Sequence, residues 1–512
     1  MRATSRTSLT PLGLTCVALA AAAGFAACAD ALHLDPPSTV VPKDGGSEGG
    51  AACLSNPDCA YPKPVCDTVT ESCVECLVIS DCAGKPGTVC DRGVCDCPNP
   101  ANPAMPLTFC SNSSPACVDT TTSADNCGGC GNACFGCAAG KCVNSWTPTP
   151  LTGAPSARSH HVAVWTGSQM FVWGGIDAGG KALDSGALFD PAKKTWTPTS
   201  APPAGAARYS TTAVWDDANK QVLIWGGASS STTTLGDGLR YDPAKDTWSA
   251  LCPTGTAPSP RVGHSAVWVN PLTGISGTTA GLIIWGGAKG GAALGDGAVC
   301  DPGTANAWVA SIPVPMPAAT GPTARVYHTA TWDTGSRMVI FGGTTGGAGM
   351  AQNDTWAYLP SLPPPTWNKL AAQNARYQHT AIWDPASAAT IIFGGWDGTT
   401  YFGDAAALGA SSWNPLGGGS PNPEGRINHS AVILSKGTAS QLVIFGGQDG
   451  TGPLDTGWSL DTSSTGTWST LPSPGPSART NHTAVADGST MIVWGGDTAS
   501  GPTNTGGIYV AQ

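Results

Sequence analysis

Charge is what this chain of 512 residues has least of. Asp, Glu, Lys and Arg supply 11% of it, against about 25% in an average soluble protein, and a disordered acidic chain would carry more. Cations are scarcer than anions, 24 Lys and Arg against 34 Asp and Glu for a formal net charge of −10, which argues against nucleic acid as the main partner. Histidine occurs eight times. No His-Glu-x-x-His, P-loop, nucleophile-elbow serine or pair of carboxylates is present. The sequence therefore points to no catalytic residue, no metal site and no cofactor. The uncharged apolar run of residues 11–27 is too short and too rich in alanine to span a bilayer.

Apolar material is nevertheless ample, with 41% hydrophobic residues and 19 Trp to fill a large core. Gly (68) and Pro (43) are plentiful, as an all-β protein with many turns requires. The length suits roughly two to four domains. Cysteine is abundant and uneven: of 20, sixteen lie between Cys53 and Cys142, and the others are Cys16, Cys28, Cys252 and Cys300. Such clustering marks an oxidising compartment and a segment stapled by disulfides.

Arg2 and Arg6 precede the apolar run, the layout of a cleavable export signal over residues 1–27. Its end, Gly24-Phe25-Ala26-Ala27-Cys28, resembles a bacterial lipobox, with Phe25 in place of the usual Leu. The resemblance implies a lipid on Cys28, which then becomes the mature N-terminus. Ordinary cleavage at the small residues, giving a secreted protein, is the alternative. Parity favours the lipid: with Cys16 removed and Cys28 acylated, the clustered sixteen and the pair Cys252 and Cys300 are both even sets. Residues 28–52, with Pro36-Pro37, Gly45-Gly46 and Gly49-Gly50, then read as a flexible tether. The expected location is the bacterial cell envelope, at the outer membrane, with the lipid as the sole membrane contact.

Residues 53–97 hold a duplication. Cys53, Cys59, Cys66 and Cys73 are matched by Cys76, Cys82, Cys90 and Cys95, and each unit carries Val-Cys-Asp at its third cysteine. Cys97 is left over. Residues 98–142 carry Cys110, Cys117, Cys127, Cys130, Cys134, Cys137 and Cys142, so parity assigns Cys97 to that second module. Large apolar residues are too few here for a core, and disulfides among these cysteines must hold the segment. Zinc fits poorly: the pairs Cys127-x-x-Cys130 and Cys134-x-x-Cys137 are separated by three residues, against roughly 15–20 in a four-cysteine site. The run Asn126-Cys127-Gly128-Gly129-Cys130-Gly131-Asn132-Ala133-Cys134, ending Gly140-Lys141-Cys142, resembles the cysteine-rich module of the stigma-specific protein family.

From Trp146 onward the chain repeats. Arg-x-x-His-x-Ala begins at Arg158, Arg261, Arg325, Arg376, Arg426 and Arg479, and a seventh copy at Arg208 has Thr211 in place of the histidine. Successive arginines lie 50, 53, 64, 51, 50 and 53 residues apart. Each is followed by an apolar run ending in Gly-Gly, from Gly174-Gly175 to Gly495-Gly496, and six units end in a late Trp, from Trp196 to Trp468. Short apolar strands such as residues 222–225 cannot bury both faces alone; stacking the units radially buries them. A period near fifty with Gly-Gly and a late Trp resembles the kelch repeat, here over residues 143–512. The resemblance implies an all-β fold, a seven-bladed kelch β-propeller. The seventh unit lacks a fourth strand and a late Trp. Its match lies at the front, where Asn144-Ser145-Trp146-Thr147-Pro148-Thr149 parallels Lys194-Thr195-Trp196-Thr197-Pro198-Thr199. An N-terminal strand is therefore expected beside residues 508–510, closing the ring and removing an edge open to aggregation.

Six of the eight histidines are repeat residues, and a structural hydrogen-bonding role is expected of them. Arg158, Arg208, Arg261, Arg325, Arg376, Arg426 and Arg479 share one rim, where a ring of guanidinium groups would attract anions. In some kelch proteins this mouth docks peptides. The alternative is that each arginine braces its neighbouring blade through carbonyls or the recurring Asp237, Asp296, Asp354, Asp404 and Asp455. Trp396 alone falls outside the repeat positions of tryptophan, with Tyr401 close by. Aromatics there suit stacking on a sugar or peptide, or a loop folded over its own blade. Cys252 and Cys300 suit a local disulfide. The expected function is a non-enzymatic adhesion module, binding protein or carbohydrate at the propeller rim on a stiff disulfide-rich stalk. Kelch-type relatives also include copper-dependent oxidases of the galactose oxidase type and sialic-acid mutarotases. The first need histidines this chain cannot spare; the second need only a few polar rim groups, so a mutarotase-like enzyme stands as the alternative.

Overall fold

A computed structural model describes residues 146–510, apart from 271–279, 317–319, 334–336, 347–349, 362–364, 437–438 and 463–465, together with short strand pairs within residues 65–142. Each repeat folds into a sheet of four antiparallel strands whose order in space is their order in the chain. In blade 1 these are Val162–Trp165, Met170–Trp173, Gly186–Asp190 and Thr195–Pro198. The second strand is buried at every position, because a neighbouring blade covers each of its faces; this is why it reads as an unbroken apolar run. The outer strand is exposed except for Trp196. The first strands of blades 2 to 7 are Thr212–Asp216, Ser265–Val269, Thr329–Asp333, Thr380–Asp384, Ser430–Lys436 and Thr483–Ala486. Each lies beside the first strands of the two adjacent blades, and that of blade 7 lies beside that of blade 1. The ring therefore closes with seven blades.

The core is divided in the same way. Its buried side chains fall into seven clusters, each formed between two consecutive blades. Between blades 1 and 2, for example, Phe171 and Trp173 pack against Val222, Ile224 and Tyr241. No blade has a core of its own, so each is stable only between its neighbours.

Blade 7 takes its outer strand from the front of the propeller. Trp146–Pro148 pairs antiparallel with the last strand, Gly506–Val510, with Trp146 opposite Tyr509 and Thr147 opposite Ile508. The indole of Trp146 is 1% exposed. Its ring centroid lies 5.0 Å from that of Phe445 in blade 6 and 5.4 Å from that of Tyr509. Blade 3 departs from the pattern by a fifth strand, Thr254–Gly255, parallel to its outer strand Ala307–Ile312. Just before that extra strand, Cys252 is joined to Cys300 of the third strand, with an S–S distance of 1.95 Å. The crosslink ties the end of blade 2 to blade 3.

In the cysteine-rich segment the backbone of both duplicated units forms a hairpin. Val65–Asp67 pairs with Ser72–Val74 and sets Cys66 opposite Cys73; Val89–Asp91 pairs with Val94–Asp96 and sets Cys90 opposite Cys95. In the second module Cys137 stands opposite Cys142. The export signal, the lipidation of Cys28, the tether and the bonding of the clustered cysteines lie outside the described residues.

Because a three-residue strand closes the ring, its one large side chain matters most. Trp146→Ala is expected to destabilise the propeller by about 3–5 kcal/mol, measured by denaturant unfolding, and Trp146→Phe by distinctly less. Equal stability of the alanine variant and the parent would show that the ring does not depend on this strand.

Candidate functional site

The seven repeat arginines are buried, each with 0% of its surface exposed. Their donors are used locally. In every blade Nη1 donates to the carbonyl of the first Gly of that blade's own Gly-Gly pair, at 2.9–3.3 Å. In every blade Nε donates to the carbonyl two residues upstream. Asp237, Asp296, Asp354 and Asp404 pair with Arg208, Arg261, Arg325 and Arg376. Glu424, rather than Asp455, pairs with Arg426. Arg158 and Arg479 bond Ser185 and Thr505 instead, and burial lowers both to about 10. Two expectations are thereby corrected. The guanidinium groups do not line a mouth open to anions, because carbonyls and carboxylates surround them. They also brace their own blade, not the next; it is the arginine's backbone carbonyl that reaches the preceding blade, where it accepts from the second Gly. That bond occurs at all seven junctions, the last being Gly496 N–H to Arg158.

The histidines join blades through their side chains. Nε2 of His264, His328, His379, His429 and His482 meets a hydroxyl of the preceding blade, on Thr212, Ser265, Thr329, Thr380 and Ser430 respectively, and His161 meets Thr483 of blade 7, all at 2.7–2.9 Å. The same rings stand edge-on to the aromatic that precedes Gly-Gly in the preceding blade, as His264 does to Trp225 at 5.0 Å. The first Gly is required here: a Cβ on Gly226, at φ +68°, would lie 2.7 Å from the His264 ring. One junction lacks the link. Blade 2 has Thr211 where the histidine belongs, and its hydroxyl donates within the blade to Trp225. Its would-be partner in blade 1 is Val162, which has no hydroxyl. Both halves of the pair are absent together, as expected of an interaction that works only as a pair.

Two residues after each arginine the backbone turns left-handed. His160, Ser210, Gly263, Tyr327, Gln378, Asn428 and Asn481 have φ between +50° and +63°. These seven form an inner ring on the Gly-Gly rim, and backbone bonds run between successive members: Ser210 N–H to His160, His160 to Asn481, Asn481 to Asn428, Gln378 to Tyr327 and Tyr327 to Gly263. His160 and Tyr327 are exposed, and the other five residues are half-buried. The loops crowded around the partly exposed His160 ring desolvate it enough to lower its pKa, and Asp497 opposes the shift. Sequence reasoning missed this ring. Gly263, Asn428, Asn481 and His160 are of types that favour a left-handed φ, and Ser210, Tyr327 and Gln378 are not; the signal was the fixed offset from the arginine.

Outside the ring stand the hairpin loops that follow Gly-Gly. Asp177, Asp397 and Asp449 each clip their loop by accepting two backbone N–H groups on one carboxylate oxygen, which holds the loops in a single shape. With Asp184, Asp455 and Asp497 they outnumber Lys181 and Lys289 on this rim. The rim is acidic, a second reason why anions are not drawn to it. Trp396 and Tyr401 face each other across the hairpin of blade 5, stacked at 5.8 Å and 14°, with Tyr377 against the tryptophan at 5.6 Å. The two rings lie on one rim loop, half-buried, with their facing sides in mutual contact; the reading of a loop folded over its own blade describes this geometry. Among the described residues no group of three or more His, Cys, Asp or Glu is placed to hold a metal ion, and no helix is long and apolar enough to cross a membrane.

Two outcomes follow from the histidine pairs. Restoring the missing junction with Val162→Thr and Thr211→His together is expected to stabilise the protein relative to the sum of the single changes by on the order of 1 kcal/mol, read from a double-mutant cycle in denaturant. Additive effects would show that no pair forms. Burial, reinforced by the adjacent guanidinium, holds His264, His328 and His482 at about 3, and His161, His379 and His429 well below 6.5. Below pH 6.5 the unfolded chain takes up protons that the folded chain refuses, so stability falls as pH drops from 6.5 towards 3. Each of the first three is expected to cost on the order of 2 kcal/mol between pH 7 and pH 5. His482→Gln is expected to flatten that slope; an unchanged slope would mean that this histidine titrates normally in the fold.

A family model described as the KLHDC2/KLHL20/DRC7 Kelch-repeats domain matches residues 141–280 and 408–511. The matched parts hold the closing strand, the first two blades, the first strand of blade 3 and all of blades 6 and 7, and the blades between them repeat the same arginine, Gly-Gly and late aromatic contacts. The chain is thus a seven-bladed β-propeller of kelch repeats, a scaffold commonly used to bind proteins.

Proposed function

We propose that this chain is a binding protein of the bacterial cell envelope whose ligand, a protein or a carbohydrate, docks on the Gly-Gly rim around the left-handed ring. The observation that carries this reading is a division of labour. The repeat arginines and histidines are buried in structural bonds, while the residues of the left-handed ring, exposed at His160 and Tyr327 and half-buried elsewhere, vary along it: His160, Ser210, Gly263, Tyr327, Gln378, Asn428 and Asn481. A rigid frame presenting varied, mostly polar groups is suited to recognition. The export signal, the lipid on Cys28 and the disulfide-rich stalk belong to the same proposal and rest on the sequence; together they would hold the propeller away from the membrane surface.

The full chain applied to an array of cell-wall, matrix and cell-surface components is expected to bind at least one. Gln378→Ala with Asn428→Ala is expected to weaken that binding about tenfold, whereas Lys193→Ala with Lys245→Ala, on the opposite rim, leaves it unchanged. Retention of Cys28→Ser protein in the membrane fraction would remove the anchor from the proposal, and silence across the array would remove the binding role.

A further inference from the structure

Between blades 2 and 3 the Gly-Gly rim opens into a cleft of about 380 Å³, within the range of small-molecule sites. Three features set it apart. The first is its charge: among the described residues no Asp, Glu, Lys or Arg lines it, although the surrounding rim is acidic. A charged ligand would lose hydration there with no opposite charge to replace it.

The second is a wall of hydroxyls. The loop of blade 2 is a run of six consecutive hydroxyl residues, Ser229-Ser230-Ser231-Thr232-Thr233-Thr234. Ser231 and Thr234 of this loop, with Ser210 of the inner ring, line the cleft, and their hydroxyls bond no other described residue. By contrast the hydroxyls of Thr211 and Thr212 nearby are engaged with Trp225 and His264. A set of unengaged donor-acceptor groups on one wall fits a ligand that itself carries many hydroxyls.

The third is Tyr327. It belongs to blade 4 yet lines this cleft, because Gly263 lets it. A Cβ on Gly263 would lie 2.4 Å from Cγ2 of Val326 and 3.2 Å from Cε1 of the Tyr327 ring, so a side chain at 263 would press on the blade 4 segment that carries the tyrosine. Tyr327 is 47% exposed and sits at φ +58°, a backbone that a bulky aromatic rarely adopts. The same ring position is filled by Gly or Asn in three other blades at less cost. The left-handed backbone recurs at all seven ring positions, so what sets this one apart is that a half-exposed aromatic occupies it at the mouth of a cleft.

Resting on the binding role proposed above, we infer that this cleft takes a neutral sugar ring, its apolar face on Tyr327 and its hydroxyls on Ser210, Ser231 and Thr234. Tyrosine suits this pairing because it offers a flat apolar face and a polar tip. Saturation-transfer NMR on the full chain tests it with maltose, cellobiose, lactose and chitobiose, and with glucuronic acid as the anionic control. At least one neutral disaccharide is expected to show transfer, and glucuronic acid none. Tyr327→Ala is expected to weaken the neutral sugar roughly tenfold with unchanged circular dichroism, while Tyr327→Phe keeps most of the binding. Silence from all four neutral sugars overturns the inference; the array experiment would still stand on its own result. Sugar binding indifferent to Tyr327→Ala overturns the placement in this cleft. So does binding of a peptide, not a sugar, that is lost with Tyr327→Ala.

Discussion

Everything in this propeller hangs on one aromatic contact made seven times. The aromatic before Gly-Gly in each blade packs on the late tryptophan of the next. The pairs are Trp173–Trp248, Trp225–Trp308, Trp285–Trp367, Phe341–Trp413, Phe393–Trp468, Phe445–Trp146 and Trp494–Trp196, with ring centroids 5.0–5.7 Å apart. In six of the junctions the next blade's histidine stands edge-on to the same ring. Each blade thus contributes one ring outward and receives one from behind. Such pairs gain from geometry beyond the area they bury, and none of them exists within a single blade. The pair Phe445–Trp146 shows what this demands of the chain: without a strand carried round from the front, blade 6 would expose its aromatic and blade 7 its edge.

This arrangement separates stability from recognition. Buried arginines tie the Gly-Gly turn to the strand that follows within a blade. Histidines tie hydroxyls between blades. What is left at the surface is a set of clipped hairpins and a ring of left-handed residues whose backbone is held from both sides, so side chains there can change with little effect on the frame. The run of hydroxyls in blade 2 and the glycine at 263 are departures of this kind. They lie next to the one junction where the histidine link has been lost, and the aromatic pair there, Trp173–Trp248, holds without it.

The repeat residues were legible from spacing because a feature that recurs at fifty residues must serve the frame. The blade number, the closing strand at Trp146 and the structural use of the histidines all follow from that periodicity. Arg158 and its six equivalents were harder. A cation repeated on one rim looks alike whether it faces solvent or its own carbonyls, and only the path of the backbone around it, which brings the Gly-Gly carbonyl within 3 Å or so, separates the two. Trp396 shows the reverse case, an aromatic out of pattern whose face is taken by Tyr401, a neighbour five residues away across a hairpin.

By itself the sequence determined how many blades there are, where the ring is sealed and which residues hold it, since each of these depends on local pattern repeated at a fixed interval. Only the tertiary structure decided which surface is offered to a ligand. Tyr327 lines one cleft with Ser210 and Ser231 of blade 2 because the ring turns each blade's inner loop towards its neighbours, and no interval along the chain encodes a cleft shared by residues that the repeat does not share.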